Sequence, residues 1–156
     1  MGYAFVDTDA RVVERAGKTI ADLFAEDGEP AFRELEADVI AEVCGRFRIV
    51  LSAGGGAVLR DANVQRLRAC GTIFWLTAEA ETLWSRIRGD AVTSAGRPAL
   101  TDRAGLDEVR QVLRERETRY KACAHHCIDV AERTPAEVAD AIEARLGRND
   151  GWHAFT

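Results

Sequence analysis

At 156 residues and a net charge of −5, the chain is long enough for one domain that buries roughly 68–70% of its unfolded surface. It is also too acidic for nucleic acid or an anionic membrane to be its main partner, although phosphate chemistry needs only a local cluster of arginines. Its apolar runs, Ile49 to Ala53 and Thr72 to Leu76 the clearest, fall far short of the ~20 residues of a membrane span. Met1-Gly2-Tyr3 opens neither a basic nor a long apolar leader, which gives a cytoplasmic reading. Cys44, Cys70, Cys123 and Cys127 lack the dense spacing of a secreted disulfide scaffold and are expected to be reduced and part-buried.

In chain order, Tyr3 to Asp7 is a short apolar strand ending in acids, and Arg11 to Arg15 turns helical. Ala31 to Phe47 carries Phe32, Leu35, Val39, Ile40 and Val43 at spacings of three and four, an amphipathic helix with an acidic outer face. Arg48 to Ala53 is a buried strand broken by Gly54-Gly55-Gly56. Asp61 to Cys70 reads as a helix, Thr72 to Leu76 as a second buried strand, and Glu79 to Arg88 as a helix. From Val92 to Arg103 the pattern dissolves into Thr, Ser, Gly, Pro and Asp, long enough for a lid. Leu106 to Tyr120 is a long helix and His126 to Val130 a last strand. Thr134-Pro135-Ala136-Glu137 then opens a final helix with an N-cap, a proline in the first turn and a capping-box glutamate, and Gly147 closes it. Residues 1–147 form one domain on this reading, and 148–156 a disordered tail. No internal repeat or low-complexity segment occurs. Alternating strands and helices imply βα units around a parallel sheet, with sites beyond the carboxyl ends of the strands.

Asp7 and Asp9 fall at such an end. Two apart, they would share one face of a strand, but where the strand frays they can diverge toward a metal-bound water and a substrate hydroxyl. The plainer alternative is a strand-to-helix turn with an aspartate N-cap. Arg33 and Arg116 offer the planar fork suited to a ligand carboxylate, against the alternatives of a solvated charge and, in Glu115-Arg116-Glu117, a surface ion-pair ladder. Arg97-Pro98 in the lid segment could close over a transferring phosphate or be a plain loop arginine.

Gly17-Lys18-Thr19 supplies only the second half of a phosphate-cradling Gly-x-x-x-x-Gly-Lys-Ser/Thr loop. Val12 stands where the first glycine is required, so the tripeptide reads as a helix-ending turn. Cys123-Ala124-His125-His126-Cys127 suggests zinc, but four ligands within five residues cannot readily form one tetrahedral cage. It reads as the approach to the last strand.

Taken together, Phe5-Val6-Asp7-Thr8-Asp9, Ile20-Ala21-Asp22-Leu23-Phe24, Gly28-Glu29-Pro30-Ala31-Phe32-Arg33, Gly54-Gly55-Gly56, Arg97-Pro98 and Glu115-Arg116 with Tyr120 beyond resemble the shikimate kinase family in order and spacing. The resemblance implies a P-loop, nucleoside-monophosphate-kinase-like α/β fold in three layers, with a five-stranded parallel sheet flanked by helices. It implies phosphoryl transfer from ATP with Mg2+ to the 3-hydroxyl of shikimate, in aromatic amino acid biosynthesis. On that basis Asp9 binds the substrate hydroxyls and favours their deprotonation, and Asp7 orders the magnesium through water. Arg33 and Arg116 hold the carboxylate, and Gly54, Gly55 and Gly56 let backbone amides approach the ring. Arg97 reaches the phosphates, and Arg86 and Arg133 flank the adenine. The complete protein is expected to be a monomer with no nucleic-acid or membrane partner. Gluconate kinase shares the general fold, but the paired acids and the Arg33 and Arg116 anchors stand at shikimate-kinase spacing.

The departure from the family pattern is its first strand, P-loop and first helix, none of which occurs upstream of Tyr3. That strand normally lies mid-sheet, between the strand ending at Ala53 and the one ending at Leu76. A start placed too late, or a fragment, is the simplest expectation. The alternatives are a non-catalytic relative that binds small acids or a protein partner, and an interaction module that completes its sheet with another chain.

Overall fold

The computed structural model describes residues 2–89 and 104–147. The lid segment with Arg97, and the tail, lie outside the described residues. The chain begins with β1 (Ala4–Asp7), α1 (Thr8–Ala16), α2 (Ile20–Glu26) and α3 (Gly28–Val43). It continues through β2 (Ile49–Ser52), a single 3-10 turn (Ala57–Leu59) and α4 (Asp61–Cys70) to β3 (Phe74–Thr77) and α5 (Ala80–Gly89). The remaining elements are α6 (Leu106–Cys123), β4 (His126–Asp129) and α7 (Pro135–Leu146).

The strands are parallel, as the βα alternation requires, but they form two separate ladders. β1 pairs with β2 from Ala4↔Ile49 to Asp7↔Ser52, and β3 with β4 from Phe74↔His126 to Thr77↔Asp129. Each ladder has its own core. Val6 of β1 packs with Val12, Leu23, Phe32, Val39 and Val43 from the three helices that surround it. Ile128 of β4 packs with Ala78 and Val130, against Leu83 of α5 and Val138, Ala141 and Ile142 of α7. Among the described residues no strand ladder joins β2 to β3.

A third apolar cluster, Ile40, Ala57 and Leu67 with Leu51 and Ile73 packed against it, and side chains from α4 and α6 make the connection instead. Arg119 donates to the carbonyls of Val58 and Leu59 at 3.3 and 3.4 Å and pairs with Asp61 at 3.1 Å. Arg68 donates to the carbonyls of Ala122 and Cys123 at 3.0 and 2.8 Å. The Tyr120 ring stacks on Trp75 of β3, centroids 5.6 Å apart, while its hydroxyl donates to Gly55 O at 2.8 Å.

Local chemistry accounts for most element boundaries. Gly17 caps α1 in the left-handed region (φ 69°), and Thr19 caps α2 through Asp22 N. Lys18 between them pairs with Glu26 and Asp27, so Gly17-Lys18-Thr19 is a helix-to-helix turn. The Thr134–Glu137 capping box forms as patterned, with Pro135 in the first turn. α3 starts at Gly28, three residues before the expected Ala31, and stops at Val43, four before Phe47. Phe47, whose spacing continues the apolar stripe, is left 90% exposed. Among the cysteines, all free, Cys70 and Cys127 are exposed and not part-buried as expected.

Phe5, Val50 and Leu76 lie on strands yet remain 70%, 56% and 48% exposed. Parallel strands are ordinarily covered on both faces, and uncovered apolar edges template association. The chain should therefore self-associate at micromolar concentration. The Val50→Lys/Leu76→Lys double variant should shift it toward monomer in size-exclusion chromatography with light scattering. A parent chain that is a monodisperse monomer at that concentration would overturn this expectation.

Candidate functional site

The carboxyl end of the β1–β2 ladder gathers most of the residues singled out in the sequence. Asp7 is the N-cap of α1, its Oδ1 accepting from Asp9 N at 2.9 Å and Ala10 N at 3.0 Å. Asp9, one helical residue further, turns toward Gly54. Its Oδ1 is buried with no hydrogen-bond partner among the described residues. Asp9's pKa is raised, chiefly because burial disfavours the charge, then because Asp7 is near; Arg33 offsets this in part. An unsatisfied buried carboxylate oxygen costs free energy unless a ligand hydroxyl meets it.

The three glycines are close-packed against three side chains. A Cβ on Gly54 would lie 2.7 Å from Asp9 Oδ1, and one on Gly55 2.9 Å from the Tyr120 hydroxyl. One on Gly56 would run into Arg33 Nη1 and sit 2.7 Å from its Cζ. The turn is glycine at each position because Asp9, Tyr120 and Arg33 occupy the space. Gly54 N donates to Thr8 Oγ1 at 3.2 Å, and the fully buried Thr8 fixes the turn over the start of α1.

Arg33 is held on two sides. Glu36 accepts from Nη1 at 2.9 Å, and Glu29 Oε1 accepts from Nε and Nη2 at 3.1 and 3.0 Å. The guanidinium also lies 4.9 Å over the Phe32 ring. Those bonds use three of its five N–H groups and leave one on each Nη, a pair spaced for the two oxygens of a carboxylate. Glu36 is only 1% exposed. Burial raises its pKa, and Arg33 opposes the rise more strongly than the more distant Arg116.

That field links Arg116 of α6 to the cluster. Its sequence neighbours are engaged elsewhere, Glu115 accepting from Gln111 at 2.9 Å and Glu117 pairing with Lys121 at 2.7 Å. Arg86 and Arg133 lie at a different corner, at the turn after β4. Arg86 donates to the carbonyls of Val130 and Ala131 at 2.5 and 3.2 Å, tying α5 to that turn. Arg133 N donates to Val130 O at 3.3 Å, and the side chain is exposed.

Sequence reasoning missed Glu36, Glu29, Thr8 and the contact of Tyr120 with Gly55. The signal for Glu36 was present: four residues after Phe32 and three before Val39, it stands on the apolar stripe of α3, not on the acidic outer face. In the Cys123–Cys127 segment, His125 Nδ1 accepts from Ile73 N at 3.0 Å, and the His126 ring stacks on Phe74 at 5.1 Å. These contacts align β3 with β4.

Parallel βα units with a buried acid, an arginine fork and a glycine turn at the strand ends define an α/β protein whose polar site opens beyond its strands. A family profile described as shikimate kinase matches residues 1–147. A shikimate kinase of Oleidesulfovibrio alaskensis is 45% identical over 132 residues, covering 85% of this chain and 76% of the relative. One from Rhodopirellula baltica is 39% identical over 149 residues, covering 93% and 80%. The solved shikimate kinase of Acinetobacter baumannii, in complex with shikimate, superposes with a TM-score of 0.88 at 28% identity, over 96% of this chain and 81% of that one. The chain belongs to the shikimate kinase family.

The raised pKa of Asp9 has a sign that can be tested. The native state holds that proton more tightly than the unfolded chain does. Stability should therefore fall as pH rises from the ordinary aspartate value of 3.8 through Asp9's higher one, with the full cost present above it. Burial acts on Glu36 in the same direction. Asp9→Asn should raise the neutral-pH melting temperature of the ligand-free chain by a few degrees and leave it little changed below pH 4. An equal or lower melting temperature at neutral pH would show that the charge at Asp9 is compensated.

Proposed function

We propose that this site binds shikimate as the phosphoryl acceptor of an ATP-dependent kinase reaction at the 3-hydroxyl. The observation that carries the reading is the packing of the glycine turn, where Gly54 and Gly56 hold the Asp9 carboxylate and the Arg33 fork at one place. The free N–H pair of Arg33, with Arg116, would grip the substrate carboxylate. The orphan Oδ1 of Asp9 would accept from a ring hydroxyl and draw its proton as the oxygen becomes the nucleophile. The raised pKa makes Asp9 a stronger base than a solvated aspartate, and Arg33 acts against that rise.

The donor side fits less well. A phosphate cradle requires successive backbone amides and a lysine at a helix start. The 156 residues contain no complete Gly-x-x-x-x-Gly-Lys-Ser/Thr motif, and Lys18 is committed to two carboxylates. No step through ATP follows from these residues; Arg86 and Arg133 would border an adenine, and Arg97 the phosphates. Magnesium takes one or two carboxylates and completes its shell with water and phosphate oxygens. Asp7 is the carboxylate suited to that, although its Oδ1 already caps α1. Among the described residues no group of three or more acid, histidine or cysteine ligands could hold a metal by itself.

The reading extends to a monomeric cytoplasmic enzyme of aromatic amino acid biosynthesis, without nucleic-acid or membrane partners. No described helix is long and apolar enough to cross a membrane.

Calorimetry should detect shikimate binding without nucleotide. Arg33→Ala or Arg116→Ala should weaken it roughly 10- to 150-fold, since each removes charge-assisted bonds of ~1.5–3 kcal/mol. Gly56→Ala should weaken binding like Arg33→Ala and also lower the melting temperature, because the added methyl displaces a guanidinium held in a buried pair with Glu36. Unchanged affinity in either arginine variant would remove that residue from the site. Turnover with ATP should be undetectable in the chain as it stands. It should appear when a strand, a complete phosphate loop and a helix are joined upstream of Met1; a folded extension that still binds shikimate without turning it over would favour a non-catalytic relative.

A further inference from the structure

α3 and α4 lie side by side, parallel and in register. At their amino-terminal ends Arg60, the residue before α4, donates to Arg33 O at 3.1 Å and pairs with Glu34, residues 27 and 26 positions apart. Further along, Ile40 of α3 and Leu67 of α4 are buried in one cluster, with Cys44 packed against it. Cys44 follows Ile40 by one helical turn, and Cys70 follows Leu67 by three residues on the same face. Carrying the register forward therefore brings Cys44, the C-cap of α3, to Cys70, the last residue of α4. The Cys70 side chain lies near enough to Cys44 to act on its thiol. Both are free, Cys70 exposed and Cys44 half-buried.

We propose that Cys44 and Cys70 form a peroxide-oxidised thiol pair, which closes into a disulfide clip across the carboxyl ends of α3 and α4. The two cysteines take different parts. Burial, with the Cys70 contact second, pushes the Cys44 thiol up to about 12, and Arg66 opposes this only weakly. Cys44 is thus rarely a thiolate, and the exposed Cys70 meets oxidant first. Its sulfur attacks the O–O bond, an S–O bond forms, and the departing oxygen leaves as water with one proton from the thiol and one from the peroxide. Cys44 Sγ then attacks the Cys70 sulfenic sulfur. The S–S bond forms, the S–O bond breaks, and the oxygen leaves as a second water carrying the Cys44 proton. Two thiols and one peroxide become one disulfide and two waters, and a thiol reductant reverses the closure.

The clip ties the ends of a loop of about 26 residues and restricts the unfolded chain. Arg33 lies eleven residues before Cys44 on α3, about 16 Å along the axis. The clip is therefore a stabilising device away from the substrate site.

The test uses the full chain, reduced, diluted and exposed to one equivalent of hydrogen peroxide, then alkylated and mapped by mass spectrometry without reduction. The expected product is a single Cys44–Cys70 crosslink, reversed by dithiothreitol, with a melting temperature raised by roughly 10 °C. The Cys123→Ser/Cys127→Ser variant should form it like the parent. Cys44→Ser should instead accumulate over-oxidised Cys70. In guanidinium chloride the same dose should scatter among the four cysteines. The proposal is overturned if native oxidation is as scattered as the denatured pattern, if it joins either cysteine to Cys123 or Cys127, or if Cys70 oxidises further while Cys44 stays alkylatable.

Discussion

The ion pair between Arg33 and Glu36 is the contact on which the site depends. Glu36 sits in the apolar stripe of α3 at 1% exposure, and Arg33 is only 12% exposed at its side chain. A buried pair of this kind contributes little net stability, because desolvation offsets most of the attraction. Its effect is on orientation. With Glu36 on one Nη and Glu29 spanning Nε and the other Nη, the guanidinium plane cannot rotate, and Gly56 closes over it from the side. The same charges set the field at Asp9, which Arg33 lowers against burial. Removing Glu36 would release one Nη of the fork and leave Glu29 as its remaining carboxylate partner.

The second constraint is the division of the strands into two separate ladders. Each ladder is only two strands wide, fewer than independent sheet stability usually needs. What unites them is the apolar cluster of Ile40, Ala57 and Leu67, with Leu51 of β2 and Ile73 before β3 packed against it, and a set of side-chain bonds across α4 and α6, centred on Arg119, Arg68 and Tyr120. These are hydrogen bonds to carbonyls at helix and turn ends, each stabilising by ~1 kcal/mol or somewhat more. Such bonds set the angle between the halves without covering Val50 or Leu76. Tyr120 couples this seam to the site, because the hydroxyl that reaches Gly55 O belongs to the ring stacked on Trp75.

Much of this was legible in the sequence where one local rule decided the outcome. Asp61–Cys70 and the capped start of α7 matched the expected elements, because periodicity and cap chemistry agree there. The start of α3 was hidden because Gly28-Glu29-Pro30 has turn composition. Its end was hidden because Phe47 extends the apolar spacing although the chain has already left the helix at Cys44. Asp9, Arg33, the three glycines and Arg116 were found as separate candidates. Their convergence was not readable from local pattern, since it depends on how α1, α3, α6 and the turn after β2 pack. Glu36 shows the limit most clearly: counted by charge it belonged outside, and counted by position on the helix it belonged inside.

The two aspartates show how one short segment separates roles that composition leaves equivalent. Asp7 is the last residue of β1, with extended backbone angles of φ −101° and ψ 124°, and its carboxylate folds back onto the first amides of α1. Asp9 already has helical geometry, so its side chain leaves the axis in a different direction and meets Gly54. One acid is therefore satisfied by backbone donors while the other keeps an unpartnered, desolvated oxygen. The raised pKa of Asp9 follows from that burial and from the charge of Asp7 beside it. Thr8 between them is fully buried and bonded to Gly54 N, which stops the segment from rotating and exchanging the two. A strand that ended one residue later would align both acids on one face. The carboxyl end of β1 thus assigns the cap to Asp7 and the open oxygen to Asp9 before any ligand arrives.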